Sequence, residues 1–321
     1  MKSYVTLKTN EFTRVIMWLM YKLKSYAKLN LGLDVVGKRE DGYHLLKTVF
    51  QTIDLCDEIE IIKNDIGKLR LSGNKVDIKW DSSNIISKVA RKMKMLFDID
   101  IGFDIRVVKN IPAGSGLGGG SSNGAVILMF LNMYYNLNLE LSEMIDIGVK
   151  IGADIPFFFL GGTVLAEGVG EELTELPELK KTKFALLIPE IIVSTALIFS
   201  KLNLTNTGNK SKISLFLDSG DIEMLENVLE EVTFEIFPDI KGFRDRMLKV
   251  FGNFVRMSGS GSSLFSMIND VGVPKSIGSK ELLIVNSIDR TEYKKGIGAW
   301  PSGKAPVFGA GIRRFESSRP R

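Results

Sequence analysis

Apolar and polar residues alternate along the chain between residues 25 and 36. Every second residue from Ala27 to Val35 is apolar, whereas Lys28, Asn30 and Asp34 lie between them. A period of two is typical of a strand with one buried face. The pattern therefore predicts a half-buried strand whose polar face carries Lys28 and Asn30 as neighbours.

The other predicted elements follow from the same kinds of pattern. Apolar residues at helical spacing behind a Ser83/Asn84 cap predict a helix that starts at Ile85. Further helices are predicted at residues 121–135, 221–237 and 239–251, and strands at 57–62, 103–109, 184–188, 264–267 and 282–285. Because strands and helices do not alternate with the period of a doubly wound sheet, the predicted fold class is α+β.

The composition is that of an ordinary globular protein and excludes several kinds of chemistry. The 321 residues are enough for two domains, and 45% of them are hydrophobic and 25% are charged. Cys56 is the single cysteine and His44 is the single histidine. An internal disulfide, a cysteine zinc cluster and a histidine-based metal site are therefore excluded, and a catalytic triad would have to use His44.

The hydropathy of the chain argues against a membrane protein. No apolar run approaches the roughly 20 residues that span a bilayer. The apolar patch at residues 15–20 is too short for a signal-peptide core, and no small-residue cleavage site follows it. We expect a cytoplasmic protein.

The charge distribution argues against a nucleic-acid-binding module. Residues 297–321 hold five basic residues against one glutamate, which accounts for the whole formal net charge of +4. A nucleic-acid-binding protein usually carries its basic excess on the folded domain. We therefore expect no nucleic-acid partner.

A glycine-rich segment between a predicted strand and a predicted helix is the strongest local motif. It consists of Pro112, Ala113, Gly114, Ser115, Gly116, Leu117, Gly118, Gly119, Gly120, Ser121 and Ser122. Glycine lets a phosphate approach the backbone closely, and the helix start offers free N–H groups. The two serines can cap the helix or bind phosphate or Mg²⁺. The segment is predicted to bind phosphate; the alternative is a flexible turn.

Three weaker features leave alternatives open. Asp154 precedes a very apolar run and is either a functional carboxylate or a helix cap. Residues 257–263 form a second glycine loop that a hairpin turn would explain equally well. Residues 298–304 have the spacing of a Walker A loop, but Ala305 stands where Ser or Thr is required, so we reject this match.

Taken together, these segments resemble the GHMP kinase superfamily. Residues 112–122 are similar to its phosphate motif, and residues 257–263 to its C-terminal glycine motif. A finer resemblance is to the diphosphocytidyl-methylerythritol kinases, and it covers roughly residues 22–287. Four motifs carry it in order: AKLNL at 27–31, GKREDGYH at 37–44, GADIPF at 152–157 and LAEGVGE at 165–171.

The resemblance implies a two-lobed GHMP kinase fold, with an N-terminal lobe like domain 2 of ribosomal protein S5 and a ferredoxin-like C-terminal lobe. We expect these lobes at residues 21–165 and 166–290. Residues 1–20 precede the family's usual start, and Met17 or Met20 would make a natural initiator. Residues 291–321 are expected to be a disordered tail.

The resemblance also implies a reaction and its residues. ATP, with Mg²⁺, would phosphorylate the 2-hydroxyl of the methylerythritol part of a cytidyl substrate. Asp154 matches the catalytic base and Lys28 its partner. The substrate residues would be Asn30, Tyr43, His44, Thr195 and Phe199, with Phe199 facing Tyr43 and His44 across the cytosine. The metal ligands stay unassigned, and we expect a monomer or weak homodimer.

Other functions remain as alternatives. Homoserine and mevalonate kinases share the superfamily, but their acceptors have no base to stack on Tyr43, His44 or Phe199. An inactive metabolite-binding homologue is a second alternative, and retention of Lys28 and Asp154 speaks against it. One departure from the family is Gly124, where Ala is common. This glycine should weaken its helix by about 1 kcal/mol.

The C-terminal residues suggest a separate hypothesis. Residues 297–321 contain four glycines and three prolines and show no helical or strand periodicity. Residues 314–317, Arg-Phe-Glu-Ser, look like a translation of the T-arm of a transfer-RNA gene. We therefore hypothesise that this tail is not part of the evolved protein. The alternative is a basic tail that binds a partner.

Overall fold

Two β-sheets with helices packed against them make up the described part of the chain. The computed structural model describes residues 20–179, 181–202, 212–252, 254–269 and 272–297. One sheet has six strands and the other has five. The expected α+β class is therefore confirmed.

The first sheet is built around the longest strand pair of the described chain. Its strands are β1 (Met20–Lys38), β2 (His44–Lys63), β3 (Arg70–Gly73), β4 (Phe103–Val108), β5 (Thr163–Gly168) and β6 (Glu172–Glu175). They lie in the order β3-β4-β2-β5-β6, with β1 antiparallel to β2. The predicted strands at 25–36 and 57–62 are parts of this β1–β2 pair.

The prediction that β1 is half-buried is wrong for the middle of the strand. Residues 25–34 are all buried, and alternation with exposed residues is limited to the two ends of the strand. The polar face can be buried because its polar groups have hydrogen-bond partners, as buried polar groups require. Ser25, for example, donates a hydrogen bond to Ser122, and the Asn30 N–H donates to Ser258.

Four helices complete the first lobe. They are α1 (Ile85–Phe97), α2 (Gly119–Tyr134), α3 (Leu141–Val149) and the short α4 (Phe157–Leu160). The predicted cap of α1 is Asn84, whose Oδ1 accepts from the Ile86 N–H at 3.0 Å. Ser83 instead bonds Asp81.

Gly124 has a packing role that helix propensity does not reveal. A Cβ added there would lie 3.3 Å from both Ile155 and Ile85, closer than ordinary van der Waals contact. The missing side chain lets α2 approach α1 and the turn that carries Asp154. The loss in helix propensity is thus offset by close packing.

The second lobe contains the five-stranded sheet and four helices of the described chain. Its strands, in the order β10-β11-β7-β9-β8, are β7 (Lys183–Leu187), β8 (Arg256–Met257), β9 (Leu264–Ile268), β10 (Ser276–Ile277) and β11 (Lys280–Asn286). Its helices are α5 (Thr195–Lys201), α6 (Lys212–Ser219), α7 (Leu229–Ile236) and α8 (Pro238–Phe251).

The single helix predicted at residues 221–237 is wrong. The segment splits into a 3₁₀ turn, Ile222–Met224, and α7, and Asn227 lies between them. The reason is a tertiary contact: the Leu33 N–H donates to the Glu226 carbonyl and the Val228 N–H donates to the Leu33 carbonyl. These bonds to β1 compete with continuous helix.

The predicted domain limits differ from the observed elements at two places. The boundary at 165/166 falls inside β5, and the first sheet continues to Glu175. The disorder predicted from residue 291 is wrong as far as Ile297, because α9 (Arg290–Ile297) packs on the first lobe. Residues 298–321, with the rejected Walker-like match and most of the hypothetical tail, lie outside the described residues, as do residues 1–19.

Helix α9 is held by a buried aromatic residue and by the ion pairs of one arginine. Tyr293 is 0% exposed, lies against Tyr26 and donates its hydroxyl to the Phe158 carbonyl. Arg290 pairs with Glu178 at 2.7 Å. These contacts show that the folded part of the chain extends to α9.

We expect two truncations on either side of α9 to behave differently. Ending the chain at Ile297 should leave the thermal unfolding midpoint unchanged, as the tail hypothesis requires. Ending it before Arg290 should lower stability by roughly 3–5 kcal/mol or more, because buried Tyr293 is lost. Calorimetry on both chains tests this; a large loss on removing residues 298–321 alone would contradict the hypothesis.

No helix within the described ranges is both long enough and apolar enough to cross a bilayer.

Candidate active site

The predicted phosphate loop, residues 112–122, lies directly against the second glycine loop, residues 257–263. Ser258 Oγ donates to the Gly116 carbonyl at 2.9 Å, and the Ser263 N–H donates to the Ser115 carbonyl at 3.1 Å. The second loop also joins the antiparallel strands β8 and β9, so the hairpin interpretation is correct as well. The two loops form one structural unit.

The phosphate loop has the backbone geometry that its glycines allow. Gly114, Gly116 and Gly118 have φ values of 66°, 79° and 71°. Gly118 occupies the cap position of α2, and no side chain caps the free N–H groups of its first turn. Its N–H groups are therefore available to an anion, and the helix dipole adds to the attraction.

The two serines at the start of α2 differ in their surroundings. Ser122 is 0% exposed, accepts from Ser25 Oγ at 2.7 Å and donates its N–H to the Gly118 carbonyl. Ser122 is therefore buried inside the lobe, and its role as a phosphate ligand stays a prediction. Ser121 is only half-buried and stays a predicted phosphate ligand.

A buried carboxylate that the sequence did not single out holds the base of the phosphate loop. Asp57 is 0% exposed, and its Oδ1 accepts from the N–H groups of Asn110 and Ile111 at 2.8 and 2.9 Å. Its Oδ2 accepts from Asn123 Nδ2 at 2.9 Å and pairs with Lys109. One side chain thus joins the entry of the loop to the first turn of α2.

Lys28 and Asp154 meet above these loops, as predicted. Lys28 Nζ lies 3.6 Å from Asp154 Oδ2, and the two side chains are 3% and 37% exposed. The ammonium also donates to Asn30 Oδ1, and Asn30 is oriented by its own donation to Thr48 at 2.9 Å. Lys28 is therefore a buried, paired cation, and the alternative of a solvated surface charge is wrong.

Asp154 is placed by the turn between α3 and α4. The Ile155 N–H donates to the Gly152 carbonyl at 3.0 Å, and the Ile155 side chain is fully buried. The carboxylate does not cap α4, whose cap position is Pro156 without a side-chain bond. The turn leaves the carboxylate partly exposed beside Lys28, where a substrate hydroxyl could reach it.

Burial lowers the pKa of the Lys28 ammonium, and the charge and hydrogen bond of Asp154 oppose this effect. Both influences are expected, because desolvation disfavours the charged form and a carboxylate favours it. Lys28 also lies 5.2 Å from the centroid of the Phe50 ring, which further favours a cation. The charge on Lys28 is therefore lost at a lower pH than that of a free lysine.

Four predicted substrate residues line one cavity of about 530 Å³: Tyr43, His44, Thr195 and Phe199. Ala153, the neighbour of Asp154, lines the same cavity. The rings of His44 and Phe199 are 5.1 Å apart and tilted by 32°, the distance of direct ring contact. No base fits between these two rings in this arrangement, so Tyr43, which is 64% exposed, is the ring left to face Phe199.

The polar groups of this cavity suit recognition. Burial, with Lys38 nearby, lowers the pKa of His44, so the imidazole is neutral at pH 7 and offers one donor and one acceptor. Thr195 Oγ1 lies 2.9 Å from Ser260 Oγ, which links the cavity to the second glycine loop. Asn30 lies beside Lys28 instead and does not line the cavity.

A second cavity, of about 520 Å³, borders the start of the phosphate loop. Pro112, Ala113 and Ser115 form one side, and Ile188 and the 81% exposed Ile192 form part of another. The sequence analysis missed this cavity, because its walls come from segments far apart in the chain and share no motif.

Comparison with known proteins is consistent with this geometry. The family described as GHMP kinases N terminal domain matches residues 84–162. The 4-diphosphocytidyl-2-C-methyl-D-erythritol kinase of Alkaliphilus oremlandii is 42% identical over 262 residues, which cover 79% of this chain and 90% of that protein. The enzyme of the same name from Clostridium beijerinckii is 38% identical over 257 residues, covering 78% and 91%.

The chain belongs to the 4-diphosphocytidyl-2-C-methyl-D-erythritol kinase family.

Solved structures confirm the two-lobed GHMP kinase fold. A crystal structure of 4-(cytidine 5'-diphospho)-2C-methyl-D-erythritol kinase has a TM-score of 0.67 and 29% identity, and covers 83% of this chain and 98% of that one. Homoserine kinase from Cytophaga hutchinsonii has a TM-score of 0.66 over 88% of this chain and 99% of that one. Its 17% identity bears on the fold alone.

The roles of individual residues stay predictions within this kinase family. Lys28 and Asp154 are close together, and Tyr43, His44, Thr195 and Phe199 share one cavity, as we expected. Asp57, Asn227 and the residues of the second cavity outside the phosphate loop were not predicted. Asp57 and Asn227 act through side-chain bonds to backbone groups, which carry no periodic signal.

Proposed function

We propose that the chain transfers the γ-phosphate of ATP to the 2-hydroxyl of 4-diphosphocytidyl-2-C-methyl-D-erythritol. The observation that carries the proposal is the position of the Lys28–Asp154 pair. Gly118 and Gly259, one from each glycine loop, are close to Lys28, while Ala153 beside Asp154 lines the aromatic cavity. The pair thus lies where a phosphate donor and a base-bearing acceptor would meet.

The chemistry needs one bond made and one broken. Asp154 accepts the proton of the 2-hydroxyl, the hydroxyl oxygen bonds the γ-phosphorus, and the bond from this phosphorus to the bridging oxygen breaks to release ADP. Lys28 stabilises negative charge on the transferred group and keeps Asp154 ionised. Such reactions depend chiefly on positioning and charge neutralisation.

The donor would occupy the glycine loops and the second cavity. The free N–H groups at the start of α2 would bind phosphate oxygens, and the cavity beside Pro112 would take the adenosine part. Groups of three or more His, Cys, Asp and Glu side chains fit to hold a metal are absent from the described residues. Mg²⁺ would bind the phosphate groups of ATP and neutralise their charge, and its protein ligands stay unassigned.

The aromatic cavity favours a cytidyl acceptor over the alternatives. Homoserine and mevalonate carry no base, and a cavity lined by Tyr43, His44 and Phe199 would offer them little. An inactive homologue would not need Lys28 buried against a partly exposed Asp154. The partner is thus a small molecule, and a cytoplasmic monomer or weak homodimer stays our prediction.

An ADP-release assay with a panel of acceptors tests this function. The purified chain with ATP and Mg²⁺ should release ADP with 4-diphosphocytidyl-2-C-methyl-D-erythritol and not with homoserine or mevalonate. Release with either of the latter alone would contradict the substrate assignment, and no release with any acceptor would favour the inactive homologue.

We expect Phe199→Ala to raise the KM for the cytidyl substrate and to leave the KM for ATP unchanged. The loss of one stacking face should cost roughly 1–3 kcal/mol, as for aromatic stacking on nucleic-acid bases. Tyr43→Ala should behave similarly. Leu197→Ala is a matched control, because Leu197 lies on the same helix but does not line the cavity. A weaker affinity for ATP in the Phe199 or Tyr43 variants would mean that the cytosine site is misplaced.

A further inference from the structure

The segment just before α7 is fixed to the strand that carries Lys28 and Asn30. The Leu33 N–H donates to the Glu226 carbonyl at 2.8 Å, and the Val228 N–H donates to the Leu33 carbonyl at 2.9 Å. A Cβ on Gly32 would lie 2.8 Å from Leu225, so this approach depends on a glycine. Residues 226–228 of the second lobe therefore have a defined position relative to β1 of the first.

Asn227, in the middle of this segment, holds the second glycine loop. Its side chain is buried, and its Nδ2 donates to the carbonyls of Met257 and Gly259 at 2.7 and 2.8 Å. Its Oδ1 accepts from the Leu229 N–H at 3.0 Å at the start of α7. Both amide protons are used, so an aspartate of the same shape could not replace it.

The loop that Asn227 holds covers Lys28. Ser258 Oγ accepts from the Asn30 N–H at 3.1 Å. A Cβ on Gly259 would lie 3.4 Å from Lys28 Nζ and 3.3 Å from Asn30 Oδ1. The backbone at Gly259 is therefore part of the wall that keeps water from the Lys28 ammonium.

We propose that Asn227 is a positioning residue, which fixes the second glycine loop over Lys28. It thereby sets the position of the two lobes relative to each other at the site of phosphoryl transfer. This inference rests on the proposed function for the role of Lys28. Glu230 and Thr233 bond the same loop, at the Met257 N–H and the Ser260 carbonyl. Asn227 differs from both because it also bonds Gly259, the loop residue next to the lysine.

The geometry has a consequence for the pH dependence of turnover. Asp154 is the charged group that faces Lys28, with Asn30 and the Phe50 ring as its other close neighbours. Burial lowers the pKa of Lys28, so turnover should fall as the pH rises through that lowered pKa. If the loop moves away, water reaches the ammonium, its pKa rises and the fall occurs at a higher pH.

The test uses Asn227→Ala in the full chain. We expect kcat to fall by about 10- to 100-fold, as for a small misplacement of catalytic groups, and the basic limb of the pH profile to move to higher pH. Hydrogen exchange in residues 257–263 should become faster, because the bonded N–H groups of Ser258, Gly261 and Ser263 lose their support. Asn227→Ser, which keeps one donor, replaces the alanine variant if that variant does not fold.

Asn132→Ala is the matched control. Asn132 also bonds backbone groups with both ends of its amide, the N–H and carbonyl of Leu139, but it lies at the far end of α2. This variant should lose stability and keep the kcat, pH profile and loop exchange of the wild type. Wild-type exchange at 257–263 in Asn227→Ala, or a lower kcat with an unmoved basic limb, would overturn the proposal.

Hydrogen exchange also distinguishes a failure of the proposed function from a failure of the role proposed for Asn227. If the wild type transfers no phosphate to any acceptor, the proposed function fails. The effect of Asn227 on the loop is still decided by exchange, with unchanged rates overturning it and faster rates supporting it.

Discussion

Asp154→Asn should lower kcat by on the order of 10² or more and leave the affinity for ATP nearly unchanged. Asparagine keeps the shape of the side chain but cannot accept the hydroxyl proton. The carboxylate is partly exposed and 3.6 Å from Lys28, so the substitution removes the base without opening a cavity. Single-turnover measurements with saturating ATP report the chemical step directly.

Lys28→Met should have a similar effect for a different reason. Methionine fills most of the same buried volume but carries no charge to stabilise the transferred group. It also removes the Lys28 donor to Asn30 Oδ1, which then keeps only the 3.4 Å bond from Ser258 Oγ, so the variant should be less stable than the wild type as well. The unfolding midpoint therefore has to be measured with kcat, to separate lost chemistry from lost fold.

A second lysine–aspartate pair provides the control for both substitutions. Lys63 and Asp100 pair at the surface of the first lobe, away from the glycine loops. Lys63→Met and Asp100→Asn should leave kcat unchanged, because exposed ion pairs contribute little and these residues touch no proposed ligand. Near-normal turnover in Asp154→Asn or Lys28→Met would mean that the catalytic roles are assigned wrongly.

The sequence predicted those parts of the fold that depend on local periodicity. Helix α1 was found with its Asn84 cap, and β4 and α8 agree with their predicted bounds to within a residue. Each has a regular apolar face and a distinct boundary residue. The prediction that β1 is a strand was also correct, because apolar and polar residues alternate along it even where both faces are buried.

The predictions that were wrong concern features that depend on contacts between distant segments. The burial of Lys28 needs residues 257–263, and the break in the helix predicted at 221–237 needs the backbone of Leu33. The helix α9 was taken for disordered tail because its anchors, Tyr293 and Arg290, bond residues of the first lobe. No single segment carries such information.

The candidate site was predicted through motifs and missed where motifs are absent. Lys28, Asp154 and the four residues of the aromatic cavity were found because they lie in recognisable stretches. Asp57 looked like any polar residue at the start of a strand. Its function as an acceptor for two backbone N–H groups of the phosphate loop is visible only in three dimensions.

Gly116→Ala should weaken ATP binding, because the added methyl group forces the two glycine loops apart. A Cβ at this position would lie 2.1 Å from the Ser258 carbonyl oxygen and 3.0 Å from that of Gly261. These are backbone atoms that cannot rotate away, and φ is 79°, where an alanine is strained by about 1–2 kcal/mol. One loop must move, so we expect the KM for ATP to rise at least about tenfold and kcat to fall, by analogy with other small misplacements.

Gly220→Ala is the control that distinguishes the effect of the steric clash at Gly116 from the effect of backbone strain. Gly220 has a similar φ of 74°, but an added Cβ there would meet no atom within 4 Å. This control should lose about 1 kcal/mol of stability from backbone strain alone and keep wild-type kinetics. If Gly116→Ala also kept its affinity for ATP while folded, the contact between the two loops would not organise the phosphate site. Loss of ATP affinity in Gly116→Ala alone would mean that the contact itself holds the phosphate loop in its binding conformation.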